Sequence, residues 1–157
     1  MKFAIGTTKA GLTLKKSVIA HLEENGHQVD DLGMKEDGDF VPYHVSAANV
    51  ARAVSEKKYE KAIIICGTGA GSVIVANKFK DVYAVHCTNS FEAEKASAVN
   101  NANVLVLAEW LTPDKHATEI IQSWLNTSFG SGFEKEWQDF LENCYNEIQE
   151  LEDNNFK

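Results

Sequence analysis

The chain has little positive charge and almost no arginine. Its 157 residues include 15 Lys and Arg against 23 Asp and Glu, for a net charge of −8, and Arg52 is the only arginine. Nucleic-acid binding without sequence preference needs a basic face, so the composition argues against it. No apolar run approaches the ~20 residues of a membrane span, and no signal segment follows Met1–Gly6. The sequence therefore predicts neither a nucleic-acid nor a membrane partner.

Cysteines are also few and scattered. Cys66, Cys87 and Cys144 show no metal-ligand spacing and no disulfide framework, which predicts a protein of the reducing cytoplasm. Apolar residues nevertheless make up 44% of the chain and occur in short dense runs. A chain of this length and content can bury a core, so the sequence predicts folded α/β structure rather than disorder.

Short apolar runs alternate with longer amphipathic stretches. The predicted strands are Lys2–Ile5, Val29–Leu32, Lys61–Cys66, Val82–Cys87 and Val104–Leu107. Between them, apolar residues recur at three and four positions, which predicts helices, including Phe91–Val99 and Pro113–Leu125. Strands that alternate with helices predict a parallel sheet covered on both faces.

The C-terminal segment differs from the rest. We predict an α/β domain over residues 1–130 and a helical extension over residues 131–157, joined by the Gly- and Ser-containing hinge Phe129–Gly132. The predicted helix, Phe133–Leu151, carries Trp137 and Phe140 at the start of an aromatic stripe. This stripe can pack on its own domain or on a second subunit, and the sequence leaves both alternatives open.

A glycine-rich segment ends the most apolar strand and opens a helix. It reads Cys66-Gly67-Thr68-Gly69-Ala70-Gly71-Ser72. In open α/β sheets ligands bind beyond the carboxyl ends of strands, and the amides of a helix start attract anions. The glycine spacing matches neither a dinucleotide fingerprint nor a P-loop. An anion or a developing oxyanion is therefore the expected ligand. Cys66 precedes these amides, which favour a thiolate, so it is a candidate base. The alternative is a buried thiol that only ends a core strand.

These residues resemble those of a known family. The segment Cys-Gly-Thr-Gly-Ala-Gly-Ser…Ala-Asn-Lys at 66–78, followed by Asn-Asn-Ala-Asn-Val at 100–104, is similar to ribose-5-phosphate isomerase B and galactose-6-phosphate isomerase. The resemblance covers residues 1–130. It implies an aldose–ketose isomerase that acts on a small sugar phosphate through a cis-enediolate, without metal or cofactor. It also implies a Rossmann-like three-layer sandwich with a five-stranded parallel sheet in the order 2-1-3-4-5.

The resemblance assigns roles to individual positions. Cys66 matches the family's base, and Thr68 matches a residue that assists at the substrate oxygens. The amides that match the enediolate-stabilising donors belong to Gly67, Gly69, Ala70 and Gly71. Asn100 matches a residue that contacts substrate hydroxyls. Because the family builds its site at a subunit interface, a homodimer or homotetramer with shared sites is implied.

The chain departs from the family where charge and proton transfer are concerned. Thr8-Lys9 stands where the family has Asp-His, and no arginine follows Arg52 to hold a phosphate. Thr8 can donate a hydrogen bond and Lys9 can meet an anion as a point charge. Val99 stands where the family has its ring-opening histidine, and valine transfers no proton.

The missing histidine leaves three alternatives. The substrate can be a short open-chain sugar such as a tetrose phosphate, which needs no ring opening. His44, which lies beside Tyr43 in a loop expected near the substrate, can replace the histidine. Alternatively, a paralogous partner supplies it, in which case the chain is a half-site subunit of a heteromeric isomerase or a sugar-phosphate-binding protein.

Overall fold

The computed structural model describes residues 1–156, in which strands and helices alternate. The elements are β1 (Lys2–Thr7), α1 (Leu12–Glu24), β2 (Gln28–Asp31), α2 (Tyr43–Ser55), β3 (Lys61–Cys66), α3 (Ala70–Ala76), β4 (Ala84–His86), α4 (Ser90–Ala98), β5 (Val104–Ala108), α5 (Asp114–Asn126) and α6 (Lys135–Asn155). A short 3₁₀ turn, Lys9–Gly11, precedes α1. The five strands form one sheet and every pair is parallel, which confirms the predicted α/β class.

The predicted strand order is wrong at one end of the sheet. The observed order is β2-β1-β3-β5-β4, so β5 rather than β4 lies beside β3. All five residues of β5 are buried, as an interior strand requires, whereas β4 has only three residues and leaves Val85 and His86 partly exposed. A short and partly polar strand belongs at an edge, because one of its sides has no neighbouring strand.

Two apolar layers cover the sheet, one on each face. Alternate strand residues point to opposite faces, so Ile63 and Ile65 face one layer while Ile64 faces the other. Helices α1, α4 and α5 supply the first layer, where Trp124 is the largest buried side chain. Helix α2 and the short α3 supply the second layer. The three-layer sandwich is therefore confirmed.

The last helix docks on the edge of the sheet that carries β4. Helix α6 begins two residues later than predicted and continues to Asn155. Its Glu152 accepts hydrogen bonds from the Asp81 amide at 2.8 Å and from the Tyr83 hydroxyl at 3.0 Å. Its Tyr145 ring packs against Tyr83 with the ring centroids 5.3 Å apart. In the described part of the chain, residues 1–156, no helix is both long and apolar enough to cross a bilayer.

Candidate active site

A cleft of about 400 Å³ opens at the carboxyl edge of the sheet, where β1 and β3 end. Its lining comes from the turn after β1, the start of α2, the glycine loop after β3 and the turn after β5. The lining residues are Thr8, Ala10, Phe40, Pro42, Tyr43, His44, Cys66, Gly67, Thr68 and Trp110. The topology therefore brings Cys66 and Thr68 together with Thr8, Tyr43 and His44, which are far apart in the sequence.

The three glycines of the loop each lie against a different aromatic ring. A Cβ placed on Gly67 would lie 3.0 Å from the Trp110 indole, and one on Gly71 would lie 2.5 Å from Cε2 of Tyr43. Gly69 has a φ of +82° and faces the ring of His86, with a Cβ placed there 2.8 Å from Cδ2. Only glycine permits both this left-handed turn and these close approaches.

The backbone of the glycine loop is tied to the segment that follows β5. The carbonyl of Cys66 accepts a hydrogen bond from the Glu109 amide at 2.9 Å, and the carbonyl of Gly67 accepts one from the Trp110 amide at 3.1 Å. The Cys66 side chain is half-buried and Thr68 is exposed to the cleft. The first amides of α3, starting at Ala70, have no carbonyl acceptors within their own helix. The loop thus offers a thiol, a hydroxyl and free amides on a fixed backbone.

Thr8 and Lys9 are placed differently with respect to the cleft. Thr8 is buried, and its hydroxyl donates to the carbonyl of Val41 at 2.9 Å, which joins the β1 turn to the segment before α2. The side chain of Lys9 is exposed. Although its neighbours Thr8 and Ala10 line the cleft, Lys9 does not.

Tyr43 and His44 open α2, directly after Pro42. The fixed φ of proline suits this position, and Pro42 is the N-cap of the helix. The two rings make an edge-to-face contact with their centroids 5.5 Å apart. Tyr43 covers Gly71, as described above, so this pair lines the cleft beside the start of α3.

Asn100 is not part of this cleft. It lies in the turn before β5, at the amino edge of the sheet, where the neighbouring Asn103 carbonyl accepts a hydrogen bond from the Ala62 amide at 3.0 Å. Cys66 is at the other end of that strand, and the rise from Ala62 to Cys66 is about 13 Å. One chain therefore does not bring Asn100 to Cys66.

The lining of the cleft contains no permanently charged side chain. Arg52 is remote, since its guanidinium lies over the Phe79 ring, 5.7 Å from the centroid. The carboxylate of Glu109, which follows β5, accepts a hydrogen bond from the Leu14 amide at 3.0 Å and thereby caps the start of α1. Among residues 1–156 no cluster of three or more His, Cys, Asp or Glu side chains is arranged to hold a metal ion.

Sequence reasoning missed the aromatic residues Phe40 and Trp110. They are 65% and 69% exposed and form much of the cleft's apolar surface. The correct strand order would have predicted the position of Trp110. Cys66 pairs with Ala108, so the residues after Ala108 necessarily emerge beside the glycine loop. The expectation that β4 would neighbour β3 hid this consequence.

Comparisons with known proteins give one consistent result. A family model described as Ribose/Galactose Isomerase matches residues 3–139. A 4-deoxy-4-sulfo-D-erythrose isomerase from Clostridium sp. (strain MSTE9) is 34% identical over 157 residues, covering 100% of this chain and 99% of its own. A D-erythrulose-4-phosphate isomerase from Pectobacterium atrosepticum is 33% identical over 132 residues, covering 84% of this chain and 87% of its own. The solved structure of Clostridium thermocellum ribose-5-phosphate isomerase B superposes with a TM-score of 0.87 at 32% identity, covering 98% and 99% of the two chains.

Proposed function

The chain belongs to the ribose/galactose isomerase family and is an isomerase, and we propose that it interconverts an aldose and a ketose of four carbons with Cys66 as the base. The observation that carries this proposal is the placement of a half-buried thiol at the start of a glycine loop with free amides, inside a cleft. Such a cleft places a proton acceptor beside donors for the oxygen on which negative charge develops.

The proposed reaction moves one proton between two carbons. The Cys66 thiolate takes the proton from C2 of the aldose, and the electron pair of that bond forms the C1–C2 double bond of a cis-enediolate. Amides of Gly67, Gly69, Ala70 and Gly71 and the Thr68 hydroxyl stabilise the oxygen that gains charge. Donors of this kind are each worth about 3 kcal/mol of barrier. The thiol then returns the proton to C1, while His44 carries the hydroxyl proton from O2 to O1.

Two features support a four-carbon, open-chain substrate. Val99, at the end of α4, offers no proton for ring opening. A tetrose with a substituted C4 lacks the free hydroxyl that closes a furanose ring, so it needs no such step. The names of the two compared relatives, a sulfo-erythrose isomerase and an erythrulose-4-phosphate isomerase, agree with this length.

The charge of the cleft favours a sulfonate over a phosphate at C4. A sulfonate carries one negative charge, whereas a phosphate ester carries about 1.5 to 2 at neutral pH and is bound best by arginine forks. The cleft lining has no permanent cation, and Lys9 stands outside it. Within the cleft of one chain no cation offsets the cost of removing a doubly charged group from water, so the singly charged sulfonate is the better fit.

A second copy of the chain completes the proposed site. Asn100 is the residue assigned to the substrate hydroxyls, and it lies at the opposite edge of the sheet from Cys66 within its own chain. A homodimer or homotetramer that sets the amino edge of one chain on the carboxyl edge of another would bring them together. Helix α6 offers surface for such packing, because Trp137, Phe140, Ile148 and Leu151 remain exposed beside its docked face.

The test is a comparison of substrates with the purified homo-oligomer. We expect turnover of 4-deoxy-4-sulfo-D-erythrose, a kcat/KM at least ~10-fold lower for D-erythrose 4-phosphate, and a still lower value for D-ribose 5-phosphate. Deuterium from solvent should appear at C1 of the ketose, since the shuttled proton exchanges with water. A preference for the five-carbon phosphate would overturn the substrate class.

The half-site alternative makes a different prediction in the same assay. If the chain were a half-site subunit whose catalytic site is completed only by a paralogue, the isolated chain would be inactive on all three sugars and would recover on mixing with that paralogue. Activity of the chain alone on either tetrose excludes this alternative.

A further inference from the structure

His86 contacts the glycine loop but does not line the cleft. It is the last residue of β4, and its ring lies against Gly69, which begins α3. A Cβ on Gly69 would lie 2.8 Å from Cδ2 and 3.2 Å from Nε2 of His86, so the imidazole fills the space beside the left-handed turn. Gly69 is the N-cap of α3, and the amides that follow it are the proposed enediolate donors.

The Nε2 atom of His86 is buried and has no hydrogen-bond partner among residues 1–156. A buried polar atom without a partner destabilises the fold, so an apolar residue of similar size would be expected here if the ring served packing alone. The cost is smallest when the imidazole is neutral, because a charged ring would place an N–H donor of a cation at the buried, unpartnered Nε2 position.

The neighbours of His86 offer little to balance a charge on the ring. Helix α3 and strand β5 contain no titratable side chain, and Cys87, the residue directly after β4, is a buried thiol. The carboxylate that faces the ring belongs to Glu92 on α4, and it is already bonded to the amide and hydroxyl of Thr88. Burial lowers the pKa of the His86 imidazole below its ordinary value, and Glu92 offsets this only in part.

We propose that His86 is a positioning residue that holds the Gly69 turn in its catalytic conformation, and that it does so only as the neutral imidazole. Protonation places a charged ring against Gly69 and displaces the turn, which turns the Gly69 and Ala70 amides away from the enediolate oxygen. A misplacement of 1 Å at such donors can reduce turnover ~10²-fold. The inference rests on the proposed function for what the loop does, whereas the coupling between His86 and Gly69 can be measured without turnover.

The test follows the backbone amide signals of Gly69 and Ala70 by ¹⁵N NMR between pH 8 and pH 5. In the wild-type protein we expect both signals to titrate together with the His86 ring, at a midpoint below 6.5. In His86→Phe, which keeps a ring but cannot titrate, they should stay fixed. His44→Asn serves as the matched control, and its Gly69 signal should titrate as in the wild type. The proposal would be overturned if the two amide signals did not change with pH in the wild type, or if they still titrated in His86→Phe.

Turnover adds a second readout that a purely structural role would not change. With 4-deoxy-4-sulfo-D-erythrose, kcat should fall in acid for the wild type. In His86→Phe, the part of that fall that coincides with the titration of the Gly69 and Ala70 amides should be lost, while KM changes little. His86→Ala, which leaves the turn unsupported, should lower kcat ~10-fold at every pH. If no sugar is turned over but the amides titrate as expected, the proposed function fails and the positioning role stands. Wild-type kcat in His86→Ala would contradict the positioning role.

Discussion

The carboxyl and amino edges of the sheet carry different chemistry. The carboxyl edge has a cleft without permanently charged side chains, in which aromatic rings lie against the loop glycines. Cys66 is part of the lining of this cleft. The amino edge has a pocket of about 290 Å³ lined by polar and charged residues, including Lys57, Glu60, Lys61 and Asn103. A glycine-rich cleft with free amides suits proton abstraction and oxyanion stabilisation. An edge rich in side-chain amides suits recognition of sugar hydroxyls. The proposed reaction uses both edges, and a single chain keeps them at opposite ends of β3.

The largest effect should come from the thiol at the carboxyl edge. Cys66→Ala removes the proposed base, and we expect kcat to fall at least ~10²-fold with the fold intact by circular dichroism. Cys144→Ala is the matched control, because Cys144 is a half-buried thiol on α6 far from the cleft. Full activity in Cys66→Ala would show that Cys66 is not the base.

The corresponding change at the amino edge should have a smaller effect. Asn100→Ala removes hydrogen bonds to the substrate hydroxyls, and kcat/KM should fall by about 30-fold. Asn49→Ala, on the exposed side of α2, is the control and should be neutral. If Asn100→Ala retained wild-type kcat/KM, the amino edge would have no part in the site.

Replacing Lys9 tests whether a charge outside the lining of the carboxyl-edge cleft contributes to substrate binding. Its side chain is exposed and outside the cleft lining, although Thr8 and Ala10 on either side belong to it, so it should assist the anionic end of the substrate only from a distance. We expect Lys9→Ala to raise KM by about 3-fold and to leave kcat unchanged, since a remote charge acts on the ground and transition states alike. The control is Lys16→Ala, whose side chain pairs with Glu36 on the surface. An unchanged KM would make Lys9 a surface residue only.

The same two edges show how far the sequence predicts the structure. The run Ala62–Cys66 and the glycines after it predict a buried strand that ends at a ligand site, because apolar content and glycine conformation are local properties. The order of β4 and β5 was predicted wrongly, because it depends on which strand is buried on both sides. That error concealed Trp110, which emerges beside Cys66 only when β5 is its neighbour.

The contact of His86 with Gly69 was also beyond sequence reasoning. A histidine inside a strand is expected to find a hydrogen-bond partner in the core, and here Nε2 has none among the described residues. The contact joins Gly69, at the start of α3, to the last residue of β4, and such tertiary approaches leave no pattern in the sequence. For Asn100 the resemblance predicted a role in the site, while the fold of one chain places it elsewhere.

Complementation between the two edges tests the shared site most directly. Chains carrying Cys66→Ala and Asn100→Ala are co-expressed, and hybrid oligomers are identified by mass spectrometry. In a hybrid pair one site has both defects and the other has none, so an equal mixture should regain about a quarter of the wild-type activity. Activity no higher than the average of the two variants alone, with hybrids present, would show that Cys66 and Asn100 never meet across an interface and would contradict the account.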